Sequence, residues 1–332
     1  MTAPAIGRIP RGTPFTTVER KKLDPDLLRA SRARGYAQAV GNIGALFAVL
    51  AVAARVTTPW QIVLLFLGAG FALHRLFFPT HDCIHYSLFP TKAENRVWGT
   101  ILSALLGTSF DAIRDQHMDH HRQFGTEDDP GASDYYLRFR SRSQLLAFVL
   151  GPLVGSILLV KIGDYLLRPS RRAAPPATPQ TAAGHASLLG KLARYPAIAA
   201  VQLAVCAVLT RGFRLGELWR YPMFNVLPAV TVFLFLVRLR MFLEHGSLDY
   251  TVCDYLEHRR PTARTIYAST LERIFLCGSD FNYHHEHHLY PAVPGYQLPR
   301  LHAELVAAGL DSQDVRPTYA RAFAEIWRNL PA

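Results

Sequence analysis

Residues 56–85 read Val-Thr-Thr-Pro-Trp-Gln-Ile-Val-Leu-Leu-Phe-Leu-Gly-Ala-Gly-Phe-Ala-Leu-His-Arg-Leu-Phe-Phe-Pro-Thr-His-Asp-Cys-Ile-His, an uncharged run from Val56 to Leu73 that leads into the histidine pair His81 and His85. A helix crossing a bilayer takes roughly 17–25 mainly apolar residues, and this run has that length. Four further blocks carry no charge: Tyr36 to Ala54, Ser143 to Val160, Tyr195 to Thr210 and Tyr221 to Val237. Half of the 332 residues are hydrophobic and are gathered into blocks, not spread at amphipathic spacing, which is the pattern of an integral membrane protein.

Charge sets the expected topology. The net charge is +11, but the basic residues lie mainly beside the apolar blocks, where they fix orientation and meet anionic head groups, so a membrane explains them and nucleic acid is not expected as a partner. Residues 1–35 carry Arg8, Arg11, Arg20, Lys21, Lys22, Arg29, Arg32 and Arg34 against Glu19, Asp24 and Asp26, too polar to open a cleavable signal peptide, and are expected to stay cytoplasmic. Four transmembrane spans are predicted at about 36–54, 57–76, 195–211 and 222–238 within one domain covering 36–332. The first two join through a short outer turn at Thr57-Thr58-Pro59, so the chain returns to the cytoplasm before His81.

Two apolar stretches fit a span less well. Val97 to Phe110 has 14 residues and reads as an interfacial or partly inserted helix. The segment 143–166 is long enough to cross, yet Lys161, Arg168, Arg171, Arg172, Lys191 and Arg194 follow it and a cytoplasmic segment precedes it; with Gly151-Pro152 and Gly155 interrupting the run, a surface-lying or re-entrant helix is expected. Residues 168–190 have the composition of a mobile loop, and a cytoplasmic cap is expected from 77–142 and 239–332. Cys83, Cys206, Cys253 and Cys277 form no CxxC pair and are read as reduced thiols.

The histidines carry the chemistry. His81 and His85; His117, His120 and His121; and His284, His287 and His288 have the i, i+3, i+4 spacings that put side chains on one helical face. Eight imidazoles exceed the four ligands of a tetrahedral zinc and suit two ions of higher coordination number, although ligand type alone leaves Zn, Cu, Fe and Ni open. A histidine-rich scavenging surface would not repeat this spacing three times beside membrane segments. Asp82, Asp119, Asn282 and Glu286 are candidate acceptors that orient the ligands. His285 points away from its neighbours by helical geometry, His74 is read as reaching the interface beside Arg75, and His185, His258 and His302 are read as solvated. Asp128 and Asp129 are read as a turn or helix cap, with orientation of the second cluster as the lesser reading.

The sequences His81-Asp-Cys-Ile-His85, His117-Met-Asp-His-His121 and Asn282-Tyr-His-His-Glu-His-His-Leu-Tyr-Pro291, together with Gly125-Thr-Glu-Asp-Asp-Pro130, resemble the three histidine boxes of the membrane fatty acid desaturase family, in order and in placement, over roughly 36–305. The resemblance implies an all-α membrane fold with a cytoplasmic helical di-iron domain. It assigns His81, His85, His117, His121 and His287 to one iron and His120, His284 and His288 to the other, with His245 in Leu-Glu-His-Gly as a ninth ligand. One subgroup of that family holds a metal-bound water with an asparagine four residues before this histidine; here the position is Met241.

The implied activity is oxygen-dependent desaturation of a fatty acyl chain, with dioxygen as co-substrate and electrons from a separate ferredoxin-like or cytochrome-type carrier, since no fused His-Pro-Gly-Gly haem segment is present. Hydroxylation or ketolation of a lipid or carotenoid on the same scaffold is the alternative. A membrane zinc hydrolase is a weaker reading, and a metal transporter weaker still, because the clusters fall outside the spans.

Overall fold

The computed structural model describes residues 24–124, 128–135, 137, 139–160, 195–245, 263–309 and 315–331, and these are mostly helical. The expected mobile loop, His185, His258 and Cys253 lie outside the described residues. Helix α1 (Arg32–Ala53) begins at Ser31, whose hydroxyl accepts from the Arg34 amide. Helix α2 (Pro59–Ile84) opens on Pro59, a residue suited to a first turn because its missing N–H has no helical partner there anyway.

Among the described residues three helical stretches are long and apolar enough to cross a membrane: Pro25–Ala53, Pro59–Ile84 and Leu215–Glu244. The expected fourth span at 195–211 appears as α6 (Tyr195–Leu209), 15 residues long and short of a crossing as described. The run Leu215–Glu244 is irregular before it settles into α7 (Leu234–Glu244), with π-turns at Pro222–Val226 and Ala229–Phe233. Pro222 and Pro228 have no amide hydrogen to donate to the preceding turn, which accounts for widening at those places.

The second span departs most usefully from expectation. Predicted to end near residue 76, it runs on as helix to Ile84 and so carries the first histidine pair on its own last turns. Pro79 leaves the Arg75 carbonyl without its helical amide, and the neighbouring Thr80 Oγ1 donates to the Leu76 carbonyl at 2.7 Å.

The stretch Val97 to Phe110 is helical up to Leu105 and leads into the second cluster, but it is not helical throughout. It is split between α3 (Lys92–Leu105), which opens on a reciprocal Thr91–Glu94 capping box, and α4 (Phe110–Gln123), capped by Ser109. Gly107 at φ 76° lies between them, a left-handed conformation that glycine adopts without a Cβ clash. The run after residue 142 is interrupted where its glycines and proline suggest: α5 (Arg142–Leu150) gives way to a tight turn at Gly151–Val154 that ends on Gly155 at φ 73°.

The helices meet in two main cores. Leu46 and Leu50 of α1, Leu73 and Leu76 of α2, Leu102 of α3 and Phe224 share one apolar cluster. Leu145 of α5, Phe242 of α7 and Ile326 of α11 (Tyr319–Asn329) share the other. Gly70 marks the tightest approach of α2 to the final membrane run, because a Cβ there would lie 2.4 Å from Val232 Cβ.

Between α7 and the C-terminus the chain forms α8 (Thr270–Phe275), α9 (His284–Leu289) and α10 (Leu298–Ala307). Among the described residues a two-residue parallel pair, β1 (Thr265–Ile266) with β2 (Val315–Arg316), is the small exception to helical structure. Single bridges from His245 to Ala263 and from Thr265 to Tyr283 draw the end of α7 against the start of α9.

Candidate metal centre

Four elements converge on one point. α2 ends with His81 and His85, α4 carries His117, His120 and His121, α7 ends at His245, and α9 carries His284, His287 and His288. Their nitrogens fall into two groups in which one ligand atom per residue lies within 4.8 Å of every other: His81, His85, His117, His121 and His287, and then His120, His245 and His288. The His117 Nε2 atom is 2.9 Å from that of His85 and 3.0 Å from that of His121, which is itself 3.1 Å from His287 Nε2. In the second group His245 Nε2 lies 3.2 Å from His120 and 3.1 Å from His288; His284 adds a fourth ring, its Nε2 3.0 Å from His245 and 3.1 Å from His288.

This arrangement fits a cation. A neutral imidazole presents either one lone pair or one proton at Nε2, so several such atoms facing one another cannot all satisfy each other by hydrogen bonding. Burial, reinforced by neighbouring histidines, holds His117, His121, His245, His284, His287 and His288 well below their usual range. Burial likewise brings His85 down to about 3, with Arg114 adding to the effect. The rings are therefore neutral lone-pair donors, suited to borderline divalent ions such as iron or zinc.

The family model that matches this chain is that of the fatty acid desaturases, over residues 58–319, a range that contains every histidine of both groups. The chain belongs to the fatty acid desaturase family. Within the family it is 27% identical over 241 residues to a beta-carotene ketolase of Paracoccus sp. (strain N81106 / MBIC 01143), covering 70% of this chain and 76% of the relative. It is 25% identical over 263 residues to a fatty acid desaturase of Bacillus subtilis (strain 168), covering 73% of this chain and 67% of that protein. A second beta-carotene ketolase, from Paracoccus sp. (strain PC1), is 25% identical over 251 residues, covering 73% and 79%.

Around this desaturase-family centre the supporting groups differ from those expected. Asp119 is exposed and pairs with Arg122, because it lies on the outer face of α4. Asp82 accepts from the Gly295 amide at 3.3 Å, and the Asn282 amide donates to the Ile266 carbonyl at 2.8 Å. Glu286 accepts from Thr265 Oγ1 and from His302 Nδ1, each at 2.7 Å. None of these four meets a box histidine in the contacts described; Asp82, Asn282 and Glu286 fasten the segments that carry the boxes.

Asp129 holds a box histidine directly. Its carboxylate accepts a hydrogen bond from His120 Nδ1, at 2.9 and 3.1 Å to the two oxygens, and also accepts from Tyr135 and from the Gly131 amide. Asp129 thus stands in a turn, its carboxylate accepting from the Gly131 amide and its carbonyl from the Ala132 amide, and also orients the second box through His120. His245 Nδ1 lies 3.2 Å from the Met241 carbonyl, while the Met241 side chain packs with Phe124, Ala132, Tyr135 and Ala263.

His302 is buried, not solvated: it sits on the inner face of α10 between Glu286 and the Tyr267 hydroxyl, 2.8 Å away. His74 does not reach an interface; it is fully buried against Phe78 and Phe233, with neither ring nitrogen hydrogen-bonded. His285 stays out of both groups, its Nδ1 3.2 Å from the Ala263 carbonyl. The sequence reading passed over Glu244, buried immediately before His245 with its Oε2 3.6 Å from His284 Nδ1. An ionisable residue at the end of an apolar run was the available signal.

Proposed function

We propose that this chain is a multi-pass membrane di-iron oxidoreductase that uses dioxygen to desaturate a fatty acyl chain. The observation that carries the reading is the convergence of imidazoles into a five-membered and a three-membered group at the ends of apolar helices of membrane length. His81, His85, His117, His121 and His287 would hold one iron, and His120, His245, His284 and His288 the other. Held there, two irons would supply activation of dioxygen, with two electrons drawn from a separate ferredoxin-like or cytochrome-type carrier.

The protein's own part is binding, orientation and exclusion of water. The reaction balances as loss of two hydrogens from adjacent methylenes, with dioxygen, two electrons and two protons becoming two waters. Burial of His120, His284 and His287 keeps bulk water from the rings, and Asp129 keeps the His120 proton on Nδ1 so that Nε2 faces the centre. In this reading α6 completes a fourth span and the boxes face the cytoplasm. Basic residues flanking the apolar runs support that orientation.

A second reading, oxygen insertion into a carotenoid, is favoured by the two ketolase relatives. Expression in a host that makes both saturated acyl lipids and β-carotene, followed by mass spectrometry of both pools, separates the two. Desaturation is expected as acyl products lacking two hydrogens; oxygen-bearing carotenoids with unchanged acyl chains would replace it with the second reading. Metal analysis tests the centre itself, with about two irons per chain and oxygen-dependent turnover expected, and bound zinc with anaerobic hydrolysis overturning it.

A further inference from the structure

We propose that Glu244 is the positioning residue for His284, and that through Tyr319 the C-terminal helix becomes part of the metal centre. The inference rests on the di-metal reading above and extends it to residues outside the histidine boxes.

His284 Nε2 faces His245 and His288 at 3.0 and 3.1 Å, so as a ligand this ring must keep its lone pair there and carry its proton on Nδ1. That Nδ1 is buried and has no hydrogen-bond partner within bonding distance. A buried N–H left unpaired carries the full cost of its lost hydration, which favours closure on a nearby acceptor. Glu244 Oε2 lies 3.6 Å away, just beyond hydrogen-bond length.

The carboxylate is aimed by its other partners. Arg240 grips it in a fork, Nε donating to Oε1 and Nη2 to Oε2, both at 2.8 Å, which fixes the plane of the group. The Tyr319 hydroxyl donates to Oε1, leaving the remaining acceptor capacity of Oε2 towards the imidazole. Backbone contacts hold the same turn, with the Arg264 amide donating to the Glu244 carbonyl at 2.8 Å. Tyr319 is buried on the first turn of α11, so a residue 75 positions along the chain sets the angle of the carboxylate beside His284. The arrangement parallels Asp129 on His120, and both carboxylates serve the group that contains His245 and His288.

The test uses the full-length protein in detergent, loaded anaerobically with ferrous iron. Iron per chain, Mössbauer spectra and resistance to a chelator are measured for the wild type, Glu244→Gln, Glu244→Asp and Tyr319→Phe. Gln opposes the Nδ1 proton with an amide, so Glu244→Gln is expected to release one of the two irons roughly 10–100-fold more readily, with the spectrum of the other unchanged. Glu244→Asp should recover part of that retention, and Tyr319→Phe should shift it in the same direction by a smaller factor. Unchanged iron retention and spectra in Glu244→Gln, with only a lower melting temperature, would overturn the proposal. If that variant fails to fold because Arg240 is left unpaired, Tyr319→Phe decides, and two irons held as in the wild type would overturn it equally. A wild type that binds no pair of irons sinks the di-metal reading itself, an outcome distinct from variants that match a two-iron wild type.

Discussion

His120 and Asp129 show how much one side chain can do at this centre. Asp129 accepts from His120, Tyr135 and the Gly131 amide at once through both oxygens, so Asp129→Asn removes the charge and replaces one acceptor oxygen with an NH2 donor while leaving the volume nearly unchanged. Metal retention or activity is expected to fall about 10–100-fold, measured by chelator competition, with the fold intact by circular dichroism. Gly131 adds a steric limit, because a Cβ there would lie 3.1 Å from His120 Nδ1. The neutral rings also give a pH signature. Burial holds His85 at about 3, against about 6.5 in an unfolded chain, so below the latter value the unfolded chain takes up a proton that the folded one refuses. Stability should therefore be unaffected by this group above about pH 6.5 and decline as pH falls from there toward about 3. Thermal melts of metal-stripped protein at stepped pH test this; a melting temperature that rises on acidification contradicts it.

At the scale of elements, the site depends on how closely the helices that carry it approach. Gly70 lets α2 lie against the final membrane run, where an added Cβ would meet Val232 Cβ at 2.4 Å and the Pro228 carbonyl at 3.3 Å. Gly70→Ala should cost about 1–3 kcal/mol by overpacking. Since the same helix ends in His81 and His85, metal content should fall along with the melting temperature. A melting temperature equal to the wild type would show that the helices part without strain. Cys277 lies in the second apolar core, and burial pushes its thiol up to about 12. Its sulfur donates to the Glu272 carbonyl at 3.4 Å, so it should resist maleimide labelling at neutral pH in the folded protein and react once denatured.

Across the whole molecule the centre ties together parts of the chain that share little else. Histidines from the end of α2, from α4, from the end of α7 and from α9 meet at one place, so a bound metal would cross-link four elements spread from residue 81 to residue 288. Removing metal should lower stability by about 2.7 kcal/mol per ion where the free ion stood at a hundred times its Kd. Hydrogen exchange should then quicken in all four elements together, and quickening of one alone would contradict a shared centre. The sequence by itself determined the membrane class, the helical character and the eight histidines of the three boxes, because apolar length and i, i+3, i+4 spacing are local properties of a chain, while His245 followed from the family resemblance. Tertiary structure decided what depends on distant partners. The extension of α2 through the first box, the break at Gly107, the burial of His302 and the contacts of Asp129 and Glu244 follow from segments folding onto one another. A carboxylate's role is set by the ring it faces, and spacing along the chain does not specify that neighbour.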